Sequence, residues 1–399
     1  MTGATVWAYP SQQYAGIAPG TPYIGAPHVA YVNNDVTAIN ITNGNEVTKI
    51  VDDASYLTSS HLVLGGENCT LTLDNASKLT LGTSTTTGNF YTGVGTDANT
   101  TLNILGGSTL TANYAYLGFG GTSTVNIIGS NSSLTLRNGS RLGWAGGTGY
   151  LTVDQGTYST NFSLRMGDGV DSSAELTVKN GGTVTIRTDF NAAYVPGSQA
   201  TVTVDGGSIV AATDAVSYSR VGYEGNATMT VKNNGSFTTG HHLYLGHYRN
   251  GTLNVQSGGT VGVGMTLYLG RGEYGNGTLN IDGAGSSVTV AGDDIIVGHE
   301  GAGAVMVTNG GVLKTDKDML ALAYSTRGIG TLTLESGSVV GSAGRAYIGY
   351  AGEATCNMTD STLDVGLDLR VGYLGTSVAA LNVFGDSVVN VGRDFETFI

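Results

Sequence analysis

Residues 252–270 read TLNVQSGGTVGVGMTLYLG and contain three short segments in which apolar residues alternate with small or polar ones. The segments are residues 252–255, 260–263 and 267–270, and turn-forming residues such as glycine and serine separate them. An apolar residue at every second position predicts β-strands, because successive side chains of a strand point to opposite faces. This stretch therefore predicts three strands joined by short turns, with no helix between them.

The first of these segments recurs thirteen times along the chain. Its copies begin at Thr70, Thr101, Thr124, Tyr150, Glu175, Thr201, Thr228, Thr252, Thr278, Ala304, Thr331, Thr355 and Ala380. The third residue of each copy runs from Thr72 to Asn382 in twelve steps, so the mean period is about 26 residues. A fixed period of about 20–50 residues is typical of solenoids and related repeat proteins.

The repeated segment also supplies a core. Its second and fourth residues, 26 side chains in the thirteen copies, are all Val, Leu, Ile, Met or Cys. Burying one aliphatic side chain contributes about 1.5–3 kcal/mol, so this face alone is a large driving force for folding. We therefore predict an all-β fold, a three-sided parallel β-helix (β-solenoid) of about 13–14 coils. Right-handed coiling is the commoner form of this fold.

Composition and charge narrow the functional classes. Glycine makes up 64 of 399 residues and charged residues only 12%, yet 40% of the residues are hydrophobic, which is too many for a disordered linker. The net charge is −13 and the basic residues are scattered, so we expect no nucleic-acid partner. No apolar run approaches 18 residues, and we expect no transmembrane segment in this chain.

The two cysteines are too far apart to pair. About eleven coils separate Cys69 from Cys356, which is on the order of 50 Å at one strand spacing per coil. A disulfide needs Cα atoms within about 7 Å of each other. Cysteine usage therefore does not indicate the redox compartment.

The two ends of the chain differ from its middle. Four of the five prolines lie within residues 1–27, so we interpret residues 1–35 as an N-terminal cap and residues 36–399 as the solenoid. Residues 39–41 (Ile-Asn-Ile) resemble a first strand of an irregular coil at about residues 36–65. Residues 394–399 resemble the approach to a third strand and stop in mid-coil. We therefore expect the parent protein to continue past residue 399.

Outward positions of the first strand carry small polar residues. The third residue of the segment is Thr or Asn in twelve of thirteen copies, which favours hydrogen-bonded ladders between coils. The residue after the segment alternates in charge, as Asp154, Lys179, Asp205 and Lys232, and opposite charges one strand apart attract. Flat threonine arrays also occur on solenoid ice-binding proteins, so ice binding remains an alternative.

The third strand has a different outward surface, rich in tyrosine and arginine. Stacked Tyr and Arg side chains stabilise each other through cation–π contacts, so a structural ladder is one interpretation. The other is that they form an exposed edge that contacts polysaccharide or a partner protein. The residues predicted to form this ligand-binding edge are Tyr116, Arg141, Trp144, Arg165, Arg220, Tyr223, Tyr244, His247, Tyr268, Tyr347, Tyr350, Arg370 and Tyr373.

No catalytic, metal or cofactor motif stands out in the sequence. His241, His242 and His247 lie close together, but adjacent strand residues point to opposite faces and no cysteine or carboxylate completes a zinc set. The Gly-x-Gly stretches lack the strand-to-helix context of a phosphate loop. We therefore predict no catalytic residues, no metal site and no cofactor.

The repeat resembles a known class of surface proteins. Residues 251–261 (GTLNVQSGGTV) and 267–270 (LYLG) resemble the Gly/Thr-rich repeats of bacterial autotransporter passenger domains. The resemblance covers about residues 36–399 and implies secretion or display on a bacterial cell surface, with an adhesive or structural role and a polysaccharide or cell-surface protein as partner. A polysaccharide-degrading β-helix enzyme, either a lyase, a hydrolase or a tailspike-like depolymerase, is the alternative. Successive copies lie only 23 to 31 residues apart, which is too regular for a deep cleft.

Overall fold

The computed structural model describes residues 38–41, 55–58, 61–65, 69–76, 78–82, 88–214 and 216–398. Its secondary structure consists of 42 β-strands in three parallel sheets, which form a β-solenoid of about twelve turns with a spacing of about 26 residues. The predicted fold class is therefore confirmed. No helix that could cross a membrane occurs in the described part of the chain. The predicted cap, residues 1–35, lies outside the described residues.

The chain divides into two compact units. Unit 1 comprises Met1–Arg187 and Tyr194–Gln199, and unit 2 comprises Thr188–Ala193 and Ala200–Ile399. We call the sheet formed by the recurrent segment the first sheet, and the others the second and third sheets in chain order.

Unit 1 contains strands of all three sheets. In the first sheet they are Cys69–Leu73, Asn99–Ile104, Thr122–Ile128, Thr148–Asp154 and Ser173–Lys179. In the second sheet they are Ser55–Thr58, Lys78–Leu81, Thr109–Ala112, Ser133–Leu136, Thr157–Thr160 and Thr183–Ile186. In the third sheet they are Ala38–Ile41, His61–Gly65, Phe90–Val94, Ala115–Phe119, Ser140–Trp144 and Leu164–Asp168.

Unit 2 repeats the same arrangement. Its first-sheet strands are Gln199–Asp205 (from Ala200 onward), Asn226–Lys232, Asn250–Gln256, Asn276–Asp282, Ala302–Thr308, Ile329–Glu335, Glu353–Thr359 and Val378–Phe384. Its second-sheet strands are Ser208–Ala211, Ser236–Thr239, Thr260–Val263, Ser287–Val290, Val312–Thr315, Val339–Ser342, Thr362–Val365 and Val388–Val391. Its third-sheet strands are Phe190–Ala192, Tyr218–Val221, His242–Leu245, Leu267–Leu269, Ile295–Val297, Leu320–Leu322, Ala346–Ile348, Leu369–Val371 and Phe395–Thr397.

Adjacent coils place like residues against each other. In the first sheet Thr252 pairs with Thr278, and the residues that follow pair in the same register. Leu253 and Val255 are fully buried, as predicted. Thr252 and Asn254 are half-buried rather than exposed, because the same positions of the neighbouring coils lie beside them. Asn280 donates a hydrogen bond from Nδ2 to Oδ1 of Asn254 at 2.8 Å, so the predicted ladder forms.

The predicted core is buried except in the last coil. Of the 26 inward side chains, only Leu381 and Val383 are not buried, and Val383 is 45% exposed. Their strand is paired on one side only in the described chain, so its side chains have neighbours from a single coil. Phe395–Thr397 pairs with Leu369–Val371 and is a third-sheet strand, as predicted.

One strand assignment from the sequence is wrong. Ala38–Ile41 pairs with His61–Gly65 and belongs to the third sheet, not to the first. Alternation of apolar and polar residues is common to the strands of every sheet, so the pattern Ile-Asn-Ile alone does not identify the sheet.

The predicted charge ladder is present in each unit. Lys179 Nζ lies 3.4 Å from the carboxylate of Asp154 in unit 1. In unit 2, Lys232 Nζ lies 3.2 Å from the carboxylate of Asp205. These pairs are partly exposed and each contributes about 0–1 kcal/mol, so their main effect is to favour this register.

Candidate functional site

The third sheet carries two rows of side chains on its outer surface. The inner row is the outward residue of each strand, and the outer row is the residue that follows the glycine at or just after the strand end. That glycine has a positive φ, +75° at Gly298, for example, and turns the chain so that the next side chain lies beside the strand. The inner row is Tyr91, Tyr116, Arg141 and Arg165 in unit 1, and Asn191, Arg220, Tyr244, Tyr268, Ile296, Ala321, Tyr347, Arg370 and Glu396 in unit 2. The outer row is Val94, Phe119, Trp144, Asp168 and Tyr194 in unit 1, and Tyr223, His247, Arg271, His299, Tyr324, Tyr350, Tyr373 and Phe398 in unit 2.

Two tyrosines of the outer row were not found from the sequence. Glycine precedes most residues of the row, but Ala193 precedes Tyr194 and Ala323 precedes Tyr324. Both alanines adopt the left-handed conformation of the glycines, with φ of 57° and 54°. The 26-residue spacing, rather than the glycine, would have located both tyrosines.

In unit 1 the aromatic side chains form one packed group. The rings of Tyr91 and Tyr116 stack at 4.7 Å, and Phe119 and Trp144 stack at 4.3 Å. Tyr116 and Trp144 join the two pairs at 5.0 Å. The guanidinium of Arg141 lies over the Trp144 ring at 4.8 Å, so this arginine is fixed by a cation–π contact.

Asp168 lies between two arginines of the inner row. Its carboxylate is 3.2 Å from Nε of Arg141 and 3.9 Å from Nη1 of Arg165. Burial raises the pKa of Asp168, and the two guanidiniums oppose that rise. Arg165 in turn lies over the ring of Tyr194 at 4.5 Å. The sequence did not single out Asp168, although it is the lone carboxylate in a row of aromatic residues.

A pocket of about 110 Å³ opens beside these arginines. It is lined by Tyr114, Gly139, Ser140, Arg141, Phe162, Ser163 and Arg165. Phe162 is 49% exposed, so an apolar ring lies at the rim of a polar pocket. This combination suits a ligand that has both an anionic group and an apolar face.

In unit 2 the inner row is mostly covered. Tyr244 is 9% exposed and Tyr347 is 6% exposed. The prediction that these two tyrosines present open ring faces is therefore wrong. Tyr244 stacks on Tyr268 at 5.0 Å and packs against His247 of the outer row at 4.8 Å. Burial raises the pKa of the Tyr244 phenol to about 12.

Arg220 is enclosed by aromatic rings. Its guanidinium lies 4.9 Å from the rings of both Tyr218 and Tyr223 and donates from Nη1 to Asn191 Oδ1 at 2.8 Å. His247 lies beside this group, and burial, followed by the charges of Arg220 and Arg271, lowers its pKa to about 4. His247 is therefore neutral at pH 7 and packs as an aromatic ring.

From His299 to Tyr373 the outer row of unit 2 forms a ladder of half-buried rings. His299 and Tyr324 stack at 5.3 Å, and Tyr324 and Tyr350 stack at 4.8 Å. Tyr350 and Tyr373 follow at 5.3 Å with tilted planes. The buried Tyr347 supports this ladder from below, with edge contacts of 5.0 Å to both Tyr350 and Tyr373.

Near the end of the third sheet, Asp368 collects three arginines. Its carboxylate accepts hydrogen bonds from Arg393 at 2.7 Å and from Arg345 at 3.0 Å, and Arg370 Nη2 lies 3.6 Å away. The side chain is only 2% exposed because the arginines cover it. The hydrogen bonds from Arg393 hold the pKa of Asp368 well below its usual range. Arg370 also pairs with Glu396 at 2.8 Å, and Arg393 Nε lies 3.8 Å from the carboxylate of Asp394. Three arginines therefore face three carboxylates, and the charges here are compensated.

Three carboxylates of unit 2 lie close together. Oxygen atoms of Asp293, Asp294 and Asp318 lie within 4.8 Å of one another, a spacing that a metal ion could bridge. Thr266 donates its hydroxyl to Asp293 at 3.0 Å, and the backbone N–H of Met319 donates to Asp294 at 3.0 Å. Burial, with a contribution from the two neighbouring carboxylates, raises the pKa of Asp294 to about 6.

The second sheet of unit 2 has a wider and shallower cleft of about 560 Å³. Gly341 forms its floor, with Lys314 on one side and Asp364 and Asn390 on the other. Asn390 Nδ2 donates to Asp364 Oδ1 at 2.6 Å, which occupies part of that polar wall. No aromatic residue lines this cleft.

Comparisons with known proteins identify no family. No protein-family model matches the chain, and no curated protein matches it. Among solved structures the chain is similar to the crystal structure of a TibA fragment that was hyper-glycosylated in a TibC-catalysed reaction. The sequences are 16% identical and the TM-score is 0.31, over 82% of this chain and 97% of that chain. A likeness at this level supports no functional inference.

Proposed function

We propose that this chain is a non-catalytic adhesive protein, secreted or displayed on a bacterial cell surface, and that the outer row of its third sheet contacts glycan. The observation that carries the proposal is the stacked ladder of half-buried rings in unit 2. The resemblance of the repeats to autotransporter passenger domains agrees with this role.

The division into two rows supports binding rather than packing alone. The inner row supplies buried rings, such as Tyr244 and Tyr347, that hold the sheet surface together. The outer row adds a second layer of rings over them, which a purely structural surface would not require. Because Tyr324 and Tyr350 are already stacked, little side-chain entropy remains to be lost when a ligand binds.

Two further tyrosines of unit 2, outside the ladder, are exposed. Tyr248 is 45% exposed and Tyr274 is 72% exposed. A Cβ at Gly272 would lie 2.8 Å from the ring of Tyr248, so this ring rests against backbone that carries no side chain. Sugar rings pack well on such aromatic faces, while tyrosine hydroxyls hydrogen-bond to sugar hydroxyls.

The test is glycan-array binding of the full chain and of the double variant Tyr324→Ser/Tyr350→Ser. Tyr150→Ser is the control, because Tyr150 is a 39% exposed tyrosine on the first sheet. We expect the double variant to lose about tenfold or more in affinity for the bound glycan, with the control unchanged. Equal binding by all three proteins would refute the role of the ladder, and an array with no bound glycan would refute the function.

A hydrolytic role is the second candidate, favoured by the carboxylates of unit 2. Oxygen atoms of Asp293, Asp294 and Asp318 lie within 4.8 Å of one another, and burial raises the pKa of Asp294 to about 6. Glycoside hydrolysis uses a pair of carboxyl groups, one of which has a raised pKa and acts as the general acid. Release of reducing sugar from a glycan bound on the array, abolished by Asp294→Asn, would favour this candidate. Binding without release would favour the adhesive role.

A further inference from the structure

We infer that the pocket beside Arg141 and Arg165 in unit 1 binds the carboxylate of an acidic sugar. The inference rests on the proposed function, because it assigns a ligand class to the third-sheet surface. It concerns different residues from the ladder of unit 2.

The pocket carries an excess of positive charge. Arg141 and Arg165 are paired positions of adjacent strands, where like charges repel. In the described part of the chain, Asp168 is the one carboxylate paired with either of them, so two positive charges share one negative charge. The arginine side chains remain 34% and 32% exposed. An excess positive charge and several guanidinium N–H donors therefore face solvent, since each guanidinium has five donors.

Aromatic rings hold the two guanidinium groups in place. The guanidinium of Arg141 lies over Trp144, and that of Arg165 lies over Tyr194 at 4.5 Å. A stacked guanidinium loses little further freedom when it binds, and its planar fork matches a carboxylate. The pair is thus held in place before any ligand arrives.

The size and lining of the pocket also bear on its ligand. The pocket is small, with a volume of about 110 Å³. Phe162 lies at the rim with half of its side chain exposed, and Tyr114 and Ser163 complete the lining. An inorganic anion would use the arginines alone, whereas a sugar acid would also place an apolar ring face on Phe162.

Arg220 and Arg370 of the inner row lack this combination, and Arg271 of the outer row is paired with Glu300. Arg220 is only 14% exposed, and its contacts with Asn191 and three tyrosine rings enclose it. Arg370 is paired with both Asp368 and Glu396. Spare positive charge, exposure and an adjacent apolar ring therefore coincide at the Arg141–Arg165 pocket.

The test is a calorimetric titration of the full chain with sodium glucuronate, glucose and inorganic phosphate at low ionic strength. We compare Arg165→Gln and Phe162→Ser with the control Arg327→Gln, which removes the same charge from a 68% exposed arginine paired with Glu273. Arg165 is chosen over Arg141 because it is farther from Asp168. Thermal unfolding followed by circular dichroism checks that each variant is folded, and Arg165→Lys tests the charge without the planar fork.

We expect glucuronate to bind the wild type and glucose to bind about tenfold more weakly or not at all. Arg165→Gln should lower the affinity for glucuronate at least about tenfold. Arg165→Lys should lower this affinity less, and Arg327→Gln should leave it unchanged. Phe162→Ser should lower the affinity for glucuronate and leave the affinity for phosphate unchanged. Equal binding of glucose and glucuronate, or phosphate binding as tight as glucuronate with no effect of Phe162→Ser, would overturn the inference. A chain that binds neutral glycans on the array but not glucuronate would refute only this inference, and one that binds neither would refute the proposed function as well.

Discussion

Gly298→Ala tests whether the turn behind the outer row depends on a missing Cβ. Gly298 has a φ of +75°, and an L-residue in the left-handed region costs about 1–2 kcal/mol. The added Cβ would also lie 2.1 Å from the carbonyl oxygen of Ile329 on the neighbouring coil, where about 3.5 Å is the normal contact. Relieving such an overlap costs about 1–3 kcal/mol. We therefore expect a loss of about 2–5 kcal/mol in the free energy of unfolding.

The chain provides a matched control one coil later. Ala323 occupies the same position with a φ of 54° and is fully buried without a Cβ clash. Ala323→Gly removes the left-handed strain but adds backbone entropy to the unfolded state, so we expect a change within about 1 kcal/mol. Urea unfolding followed by circular dichroism measures both variants, and hydrogen exchange of residues 295–308 locates the effect. If Gly298→Ala is no more destabilising than Ala323→Gly, the contact with Ile329 is not what requires glycine.

Three further predictions concern single side chains. Tyr158, fully buried, hydrogen-bonds through its hydroxyl to Ser140 Oγ; Tyr158→Phe should cost about 1–3 kcal/mol by leaving the Ser140 hydroxyl unsatisfied, and adding Ser140→Ala should recover part of the loss in a double-mutant cycle. His247 has a folded pKa of about 4, below the value of about 6.5 in an unfolded chain. Unfolding therefore takes up a proton in this window, the free energy of unfolding should fall as pH drops from about 6.5 to about 4, and His247→Gln should flatten that dependence in urea titrations at each pH. Cys356 is fully buried and burial raises its pKa to about 12, so iodoacetamide at pH 8 should label this thiol only after unfolding, and labelling of the folded chain would contradict the packing.

Most of the fold could be predicted from the sequence, because the same alternation of apolar and polar residues recurs in every coil. Leu253 and Val255 are an example: they are the second and fourth residues of their segment, and both are buried. The inward residues of the other first-sheet strands can be identified in the same way. The wrong assignment of residues 39–41 shows the limit of this reasoning. Alternation identifies a strand and its inward face, but only spacing from the next coil identifies the sheet.

The candidate site was predicted less well, for a physical reason. Strand alternation predicts that Tyr244 and Tyr347 point outward, but it does not show that the residues after the glycine fold over them. Burial of these two tyrosines follows from contacts with His247, Tyr350 and Tyr373 on the same and neighbouring coils. Such contacts depend on how the turn directs the outer row, and no periodicity of the strand records that direction.

The pairing of like residues in the first sheet also bears on how the gene can change in length. Because Thr252 faces Thr278 and Asn254 faces Asn280, a duplication of one whole coil would place each new side chain beside a copy of itself. Hydrogen-bonded amides and buried aliphatic groups would then meet the neighbours they already have, and the added coil would bring its own share of the core. An insertion of part of a coil would not keep these neighbours. A shift by an odd number of residues within a strand turns every inward side chain of that strand outward. Variation in the number of coils is therefore tolerated in steps of about 26 residues, whereas shorter insertions are confined to the turns.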